Sequence, residues 1–382
     1  MMVALAVLSV LLAGSLVYCC LVVAAARSYR GKRAGAPAAP LPVSILKPLR
    51  GVDEGLREHL RSFFAQDYPV FEVIFGVDRP DDPALAVVAE VRREFPRVDC
   101  RCLVTGDPPY RNPKVFSLER LAEAAKYDLL VMSDSDIRVT PDMLSIIAAE
   151  FQDPKLGLVT CPYRAVPGRS FWSRLEAMGM NTEFMAGVLV ARLVEGMKFA
   201  VGPTIAARKR VLEAIGGFQR VKDYYIDDFL LGKYAADQGF GVELSAYVIE
   251  HHIGGQRMLP NLKHRIMWLR GTRRSRPKGY FGQAFTYPIP YALLVCAAQP
   301  EWWLALVLAL ALRGLAAWAV GVWVLRDPLT RRRWWLLPLQ DILAWLFYLL
   351  AFFGNTIIWR GRRFELLPDG RFQPLEPGGQ AL

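Results

Sequence analysis

Cysteine and histidine are scarce in this chain, and neither is spaced for chemistry. Its 382 residues include six cysteines and four histidines. No two cysteines form Cys-x-x-Cys and the histidines complete no zinc spacing, which argues against dithiol redox motifs and the common zinc folds. Cys19 and Cys20 fall inside one apolar run and Cys296 in a later one. Together with Cys100, Cys102 and Cys161 they read as small buried hydrophobes of a reducing compartment. A nucleic-acid-binding module is also missing. The net charge is +11, but many of the Arg and Lys residues flank apolar runs. That placement points to anionic lipid headgroups and to the retention of basic flanks on the cytosolic side, and no nucleic-acid partner is expected.

The hydrophobic fraction of 53% is high for a soluble protein and is concentrated at the two ends. Residues 3–26 carry no charge, and a membrane span needs only about 20 apolar residues. The stretch Ala24-Ala25-Ala26 resembles a signal-peptidase site, but the run is long for a signal peptide and no Lys or Arg precedes it. Arg27, Arg30, Lys32 and Arg33 follow directly. Residues 1–27 therefore read as a retained transmembrane anchor with the next segment cytosolic. Residues 28–42, rich in Ala, Gly and Pro toward their end, read as a linker.

Strand–helix alternation then begins. Strands are expected at 42–47, 71–77, 98–104, 129–133 and 157–161, with helices at 56–64, 83–95, 113–125 and from Thr140-Pro141 to about Phe151. Such alternation predicts a parallel sheet covered on both faces. The stretch Leu129-Leu-Val-Met-Ser-Asp-Ser-Asp-Ile137 organises the rest, because a wholly apolar strand runs straight into Asp134 and Asp136. Ligands of open α/β sheets bind just beyond the carboxyl ends of the strands. Carboxylate oxygens there suit Mg2+ or Mn2+, which in turn suit a diphosphate. Acid pairs at strand ends also serve as solvated turns or helix caps. A second strand, however, delivers Asp78, Asp81 and Asp82 to the same edge.

Past Cys161 the alternation fades. A helical stretch is expected at 170–194, a strand around a Gly-Pro turn at 199–207, a helix at 208–215 and a strand at 242–253. Asp227 and Asp228 open a further helix, where one acid can cap and the other is left for different work. Residues 261–276 set Lys263, His264, Arg265, Arg270, Arg273, Arg274 and Arg276 around Ile266, Met267, Trp268 and Leu269. That pattern suits a membrane surface or the charge of a departing diphosphate. Three apolar segments follow: 281–298, broken by Pro288 and Pro290; 302–325, charged only at Arg313; and 334–359, charged only at Asp341. The basic loop 326–333 and the basic residues Arg360, Arg362 and Arg363 both favour the cytosol, so a single crossing by 334–359 breaks the rule. That segment is then re-entrant or interfacial, or the tail is an exception. Arg313 and Asp341 are either functional or placed where they snorkel to an interface.

At this point a resemblance is plain. Ile45-Leu-Lys-Pro-Leu-Arg-Gly-Val-Asp53, Gln66-Asp-Tyr-Pro69, Asp81-Asp-Pro83, Asn112-Pro-Lys114, Ala125-Lys-Tyr-Asp-Leu129, Asp134-Ser-Asp-Ile-Arg138, Gly157-Leu-Val159 and Asp227-Asp-Phe229 occur in order. They resemble the ceramide glucosyltransferase-type family, glycosyltransferase family 21, with its hopanoid-associated bacterial relatives. The resemblance implies an α/β GT-A nucleotide-sugar domain, Rossmann-like, held by transmembrane helices. The implied organisation is an anchor at 1–27, a linker at 28–42, a cytosolic GT-A domain at 43–258, a basic interfacial segment at 259–280, a transmembrane region at 281–363 and a polar tail at 364–382. It implies an integral protein of a bacterial-type inner membrane or its equivalent.

The family's three acids fall on Asp82, Asp134 and Asp228. Asp228 is implied as the catalytic base, Asp82, Asp134 and Lys114 as nucleotide-sugar contacts, and Asp134 with Asp136 as ligands of Mg2+ or Mn2+. The family's Gln/Arg-x-x-Arg-Trp motif falls on His264-Arg-Ile-Met-Trp268, where His264 and Met267 depart from it. Arg265 or Arg270, from a neighbouring turn, is then the expected source of the diphosphate charge, beside His264 and Trp268. The implied partners are a UDP-sugar donor, a membrane lipid acceptor and the bilayer. The implied reaction moves glucose from a UDP-sugar to a lipid hydroxyl such as that of ceramide, with inversion. UDP-N-acetylglucosamine transfer to a hopanoid polyol, a polysaccharide synthase and an inactive membrane scaffold are the alternatives.

Overall fold

The structure is a computed structural model that describes residues 2–31, 40–359 and 362–375. Most of the expected linker, with Lys32 and Arg33, lies outside the described residues, as do Arg360 and the end of the tail from 376. The chain forms two compact units. One comprises Lys32–Tyr163 and Glu195–His252, and the other Met1–Gly31, Arg164–Val194 and Ile253–Leu382.

The first of these is built on a seven-stranded sheet. Its strands in chain order are β1 (Val43–Pro48), β2 (Phe71–Val77), β3 (Asp99–Val104), β4 (Leu129–Ser133), β5 (Leu156–Thr160), β6 (Thr204–Arg208) and β7 (Gly241–Leu244). They lie in the order β3-β2-β1-β4-β6-β5-β7. β4 and β5 are buried along their whole length, as expected of apolar runs covered on both faces. The pairs β1–β2, β2–β3, β1–β4 and β5–β7 are parallel, whereas β6 runs antiparallel to both β4 and β5. The sheet is therefore mixed rather than parallel throughout. A parallel neighbour needs a helical crossover on the same sheet. The chain before β6 instead runs through residues 164–194 of the other unit, so no crossover dictates its direction.

A buried polar network pins the parallel edge. The fully buried Glu72 of β2 accepts from Ser44 of β1 at 2.6 Å, from Arg101 of β3 at 2.6 Å and from the backbone N–H of Lys126 at 2.6 Å. A buried carboxylate this well satisfied fixes register, since any slip strands its oxygens. Ile137–Arg138 and Ile249–His252 form a short antiparallel pair beyond β4, so the strand expected at 242–253 is two strands.

The other unit is helical and apolar. Met2–Arg30 and Pro300–Val324 are long and apolar enough to cross a membrane. The helix runs to Arg30, past the expected anchor boundary at 27. Pro288–Ala298, of 11 residues, and Leu337–Leu350, of 14, are shorter than the roughly 20 residues of a straight crossing. The third apolar segment thus stops being helical at Leu350. Its end, Thr356–Trp359, pairs antiparallel with Arg362–Leu366, which pairs with Phe372–Pro374. The expected polar tail therefore begins as sheet. Residues 164–194, expected within the GT-A domain, belong to this unit because their helices are buried against it. Met178, for instance, packs with Ala317 and Leu337. Gly14 lets the first helix close on Phe285, since a Cβ there would lie 2.4 Å from the ring.

Candidate active site

The acidic residues of the sheet unit are held by short, specific contacts at the carboxyl ends of its strands. Asp134 leaves β4 with its N–H donating to Pro203 at 3.1 Å, while Ser133 and Thr204 bond side chain to side chain at 2.9 Å. The Lys114 ammonium meets Asp134 Oδ1 at 2.6 Å. Lys114 sits at the start of the helix Pro113–Ala124, whose N-cap is Asn112. Asn112 is buried, accepts from the Val115 N–H and donates to Tyr224 O at 3.2 Å and Asp227 Oδ1 at 3.4 Å. One residue therefore caps that helix and ties it to the start of Asp227–Asp237.

Asp227 and Asp228 open this second helix, as expected. Asp227 is buried on Asn112, which leaves Asp228 as the second acid. Asp228 Oδ2 lies against Gly202 so closely that a Cβ there would be 2.6 Å away. Burial, together with Asp227, pushes the Asp228 carboxyl up to about 7. Burial alone works against the Lys114 cation, but Asp134 and Asp227 outweigh it and hold the ammonium charged. The cluster thus pairs one firmly charged lysine with a carboxyl that titrates near neutrality, the range a general base needs.

Asp136 is fixed differently. His251 Nε2 lies 3.2 Å from its Oδ2, and the His252 N–H donates to its carbonyl at 2.9 Å. Its Oδ1 is buried with no hydrogen-bond partner among the described residues. Burial opposes the charge, yet His251, Lys47 and Lys114 hold the Asp136 carboxyl down at about 2. An orphaned, ionised oxygen two residues along the chain from the Asp134 carboxylate fits a hard cation. No cluster of three metal-ligating side chains occurs among the described residues, so such a cation must draw further ligands from phosphate and water, as Mg2+ commonly does.

Asp82 has a partly structural position. It accepts from the Gly51 N–H with both oxygens at 3.0 Å and from the Ala84 N–H at 2.8 Å, and so ties the loop after β1 to the first residue of the helix Ala84–Glu94. Asp78, expected at the same edge, lies 3.8 Å from Arg50.

His264, Arg265, Trp268 and Arg270 lie on the helix Met258–Ser275 of the other unit. His264 Nδ1 is 2.9 Å from the buried Glu176, and its ring packs on Trp268 at 4.8 Å. Arg270 donates to the Phe353 and Thr356 carbonyls, both at 2.7 Å, and so closes the end of Leu337–Leu350. Arg265 donates to Gln340 at 3.0 Å and lies over the Phe347 ring, but its Nη1 is buried without a partner among the described residues. Of the two arginines, only Arg265 keeps a terminal nitrogen unspent.

The family model described as glycosyl transferase family 21 matches residues 7–372. The chain belongs to glycosyl transferase family 21. This family 21 chain is 25% identical to ceramide glucosyltransferase 1 of Caenorhabditis elegans over 87% of its length and 73% of that protein's. It is 40% identical to the ceramide glucosyltransferase of Komagataella phaffii over a shorter stretch, 27% of this chain and 21% of the relative. Among solved structures it resembles a mannosyltransferase from Pyrobaculum calidifontis in complex with GDP-Man and Mn2+, with TM-score 0.53, 18% identity and coverage of 90% of this chain and 98% of that one. That likeness shows the GT-A fold. The chain is a glycosyltransferase.

Two groups of this glycosyltransferase carry no role in the sequence reading. Lys47 is fully buried, donates to Asp134 O at 2.7 Å and lies 3.6 Å from the centre of the Phe63 ring. Burial pushes it down to about 7. It stands in the quoted Leu-Lys-Pro run, so its position was visible but its burial was not. The histidines are the second group: His251 touches Asp136, and the rings of His59 and His252 meet at 4.6 Å. No spacing rule connects residue 59 with residues 251 and 252. No disulfide forms among the described residues, but Cys20 and Cys102 are exposed, so only part of the set fits the buried reading.

Proposed function

We propose that this glycosyltransferase moves glucose from UDP-glucose to the hydroxyl of a membrane lipid such as ceramide, with inversion at the anomeric carbon. The observation that carries the reading is the Asp228 carboxyl, raised to about 7 and set within one cluster with Asp227, Lys114 and Asp134. An alcohol is a poor nucleophile, and a carboxylate of that basicity takes its proton as the new bond forms. In a single displacement the acceptor oxygen bonds to the anomeric carbon as the bond from that carbon to the diphosphate oxygen breaks. The proton passes to Asp228, and the configuration inverts.

Asp82 and Lys114 serve the nucleotide and its phosphates, and Asp134 with Asp136 holds Mg2+ or Mn2+. When bound, that cation neutralises charge on the diphosphate. Arg265 is the preferred arginine for the diphosphate because of its unspent nitrogen, with His264 and Trp268 beside it on the same helix. Arg270 is already committed to backbone carbonyls. The apolar helices support a lipid acceptor and a membrane location, and the basic residues Arg27 and Arg30 that follow the first run favour a cytosolic catalytic domain.

The test crosses UDP-glucose, UDP-galactose and UDP-N-acetylglucosamine with ceramide, diacylglycerol and bacteriohopanetetrol, on purified protein with Mn2+, Mg2+ or chelator. Metal-dependent glucosylceramide supports the proposal. Product from UDP-N-acetylglucosamine and the hopanoid polyol alone replaces it with that acceptor class. Unchanged turnover in Arg265→Ala removes the diphosphate role from that residue.

A further inference from the structure

We propose that the loop after the second long apolar helix forms a binding site for the phosphate of an anionic phospholipid headgroup. The proposal rests on reading the two long helices as membrane spans, and not on the sugar or the acceptor.

The helix Pro300–Val324 ends in a sharp reversal. The Leu325 N–H donates to Val320 O at 2.9 Å and the Asp327 N–H to Gly321 O at 2.7 Å. Arg326 turns the chain with φ of 53°, a left-handed conformation that an L residue with a long side chain takes only at a cost. Thr330 then packs onto Gly321 so tightly that a Cβ there would lie 2.9 Å from it. Asp327 locks the reversal, accepting from the Leu329 N–H, the Thr330 N–H and the Thr330 hydroxyl.

This folding leaves a cavity of about 590 Å3 lined by Val322, Arg326, Asp327, Pro328, Arg331 and Arg332. The one acid in the lining is buried and already spends its oxygens on the loop. Arg326, Arg331 and Arg332 form no ion pair among the described residues. Three exposed arginines line one concavity whose apolar part, Val322 and Pro328, suits the glycerol and first acyl carbons of a lipid, and planar guanidinium forks match phosphate oxygens. The volume is that of a small-molecule site.

The position of the cavity indicates the source of the phosphate. The Arg30 guanidinium lies 5.0 Å over the Trp323 ring, so both long helices reach this end with their C-terminal, basic flanks. Trp323, Trp334 and Trp335 are exposed there. Tryptophan marks the headgroup level of a bilayer, and arginine at that level meets lipid phosphate. Basic flanks also orient a span during insertion, but that role needs charge only, with no cavity.

The test titrates dioleoylphosphatidylglycerol, dioleoylphosphatidylcholine or inorganic phosphate into the purified full chain in detergent and follows the thermal unfolding midpoint. Phosphatidylglycerol is expected to raise the midpoint saturably, and phosphatidylcholine much less. Arg326→Gln/Arg331→Gln/Arg332→Gln should weaken the lipid affinity about 100-fold, about fivefold per arginine. Arg92→Gln/Arg93→Gln/Arg97→Gln removes the same charge from the sheet unit and should leave the titration unchanged. Losing three charges at once can also alter insertion, so Arg332→Gln alone is measured beside it, with an expected loss of about fivefold. Equal lipid titrations in wild type and both loop variants overturn the site. A shift given by inorganic phosphate alone, and lost in the triple variant, overturns the lipid as its source. Release of the protein from membranes by alkaline carbonate overturns the spans, and the proposal with them.

Discussion

Two ion pairs, one in each unit, show how differently this chain uses charge. In the sheet unit Lys114 meets Asp134 through one oxygen at 2.6 Å, with both side chains partly exposed. In the helical unit Arg313 grips Asp341 through both oxygens at 2.7 and 2.8 Å, with both side chains buried, and reaches the Thr182 hydroxyl as well. The first pair leaves oxygen lone pairs and ammonium protons for a ligand. The second closes its charges on each other, which answers whether Arg313 and Asp341 are lone charges in apolar segments: they are partners. The same division runs through the neighbouring groups. Asp136 keeps an orphan oxygen and Asp228 titrates near neutrality, whereas Glu176 is taken up by Asn261 and His264, and Arg270 by two carbonyls. Open charge sits where chemistry is proposed, and closed charge sits where packing has to be held, between the apolar helices and, at Glu72, along the parallel edge of the sheet.

The sharpest break of this comparison is Asp228→Asn. Turnover should fall by about 10²- to 10⁴-fold while UDP binding, measured by calorimetry, stays near wild type. Normal transfer by that variant removes the base assignment. The same change should not cost stability. The Asp228 carboxyl is raised above its unfolded value, so charging it penalises the fold as pH rises from the ordinary carboxylate range to about 7 and beyond. At pH 8 the asparagine variant should unfold no earlier than wild type.

Next in size is the sealed pair. Arg313→Met alone should destabilise by about 3–5 kcal/mol, because Asp341 is left buried and uncompensated. Arg313→Met with Asp341→Leu should recover most of that, since a buried pair replaced by apolar groups is often neutral. Thermal unfolding in detergent reads both. A double variant as unstable as the single one shows that the pair does more than satisfy itself. Lys47→Met comes third. It removes the donor that holds the Asp134 carbonyl, and activity should drop about 10- to 100-fold, as for other groups that orient ligands from behind. An unchanged rate means that the backbone alone sets the turn.

The smallest effect is the pH profile. Activity should climb as pH rises through about 7, because Asp228 must lose its proton to accept another. The groups facing it are Asp227, Lys114, Asp134 and Tyr225. Of these, Lys114 stays charged throughout that range. A flat profile between pH 5.5 and 8.5 (about 1.5 units either side of that carboxyl) separates turnover from Asp228.

Much of the sheet unit was legible in the residues. Strand β4 ends where its apolar run meets Asp134, and Asp227 and Asp228 open a helix as a pair of acids after Ile226 suggests. Local pattern suffices there, because burial on both faces writes itself into consecutive residues. What the pattern missed depends on long-range pairing. The antiparallel course of β6, the pairing of Ile137–Arg138 with Ile249–His252, and the strands after Leu350 have no local signature. Thr356–Trp359 is apolar enough to pass for membrane helix, and only its partners make it a strand.

By itself the sequence determined which residues could do chemistry: the acids at strand ends, the lysine in Asn112-Pro-Lys114, the two long apolar runs and their basic flanks. Tertiary structure decided which of them are free to act. Whether Arg313 is a lone intramembrane charge or half of a pair, and whether Arg270 or Arg265 keeps a donor, turns on partners 28 to 86 residues away. The same holds for Lys47, whose ammonium is buried by a ring and a carbonyl that composition cannot place. The reason is physical: a charge is defined by its side chain, but its availability is set by burial and by partners, which exist only once the chain has folded.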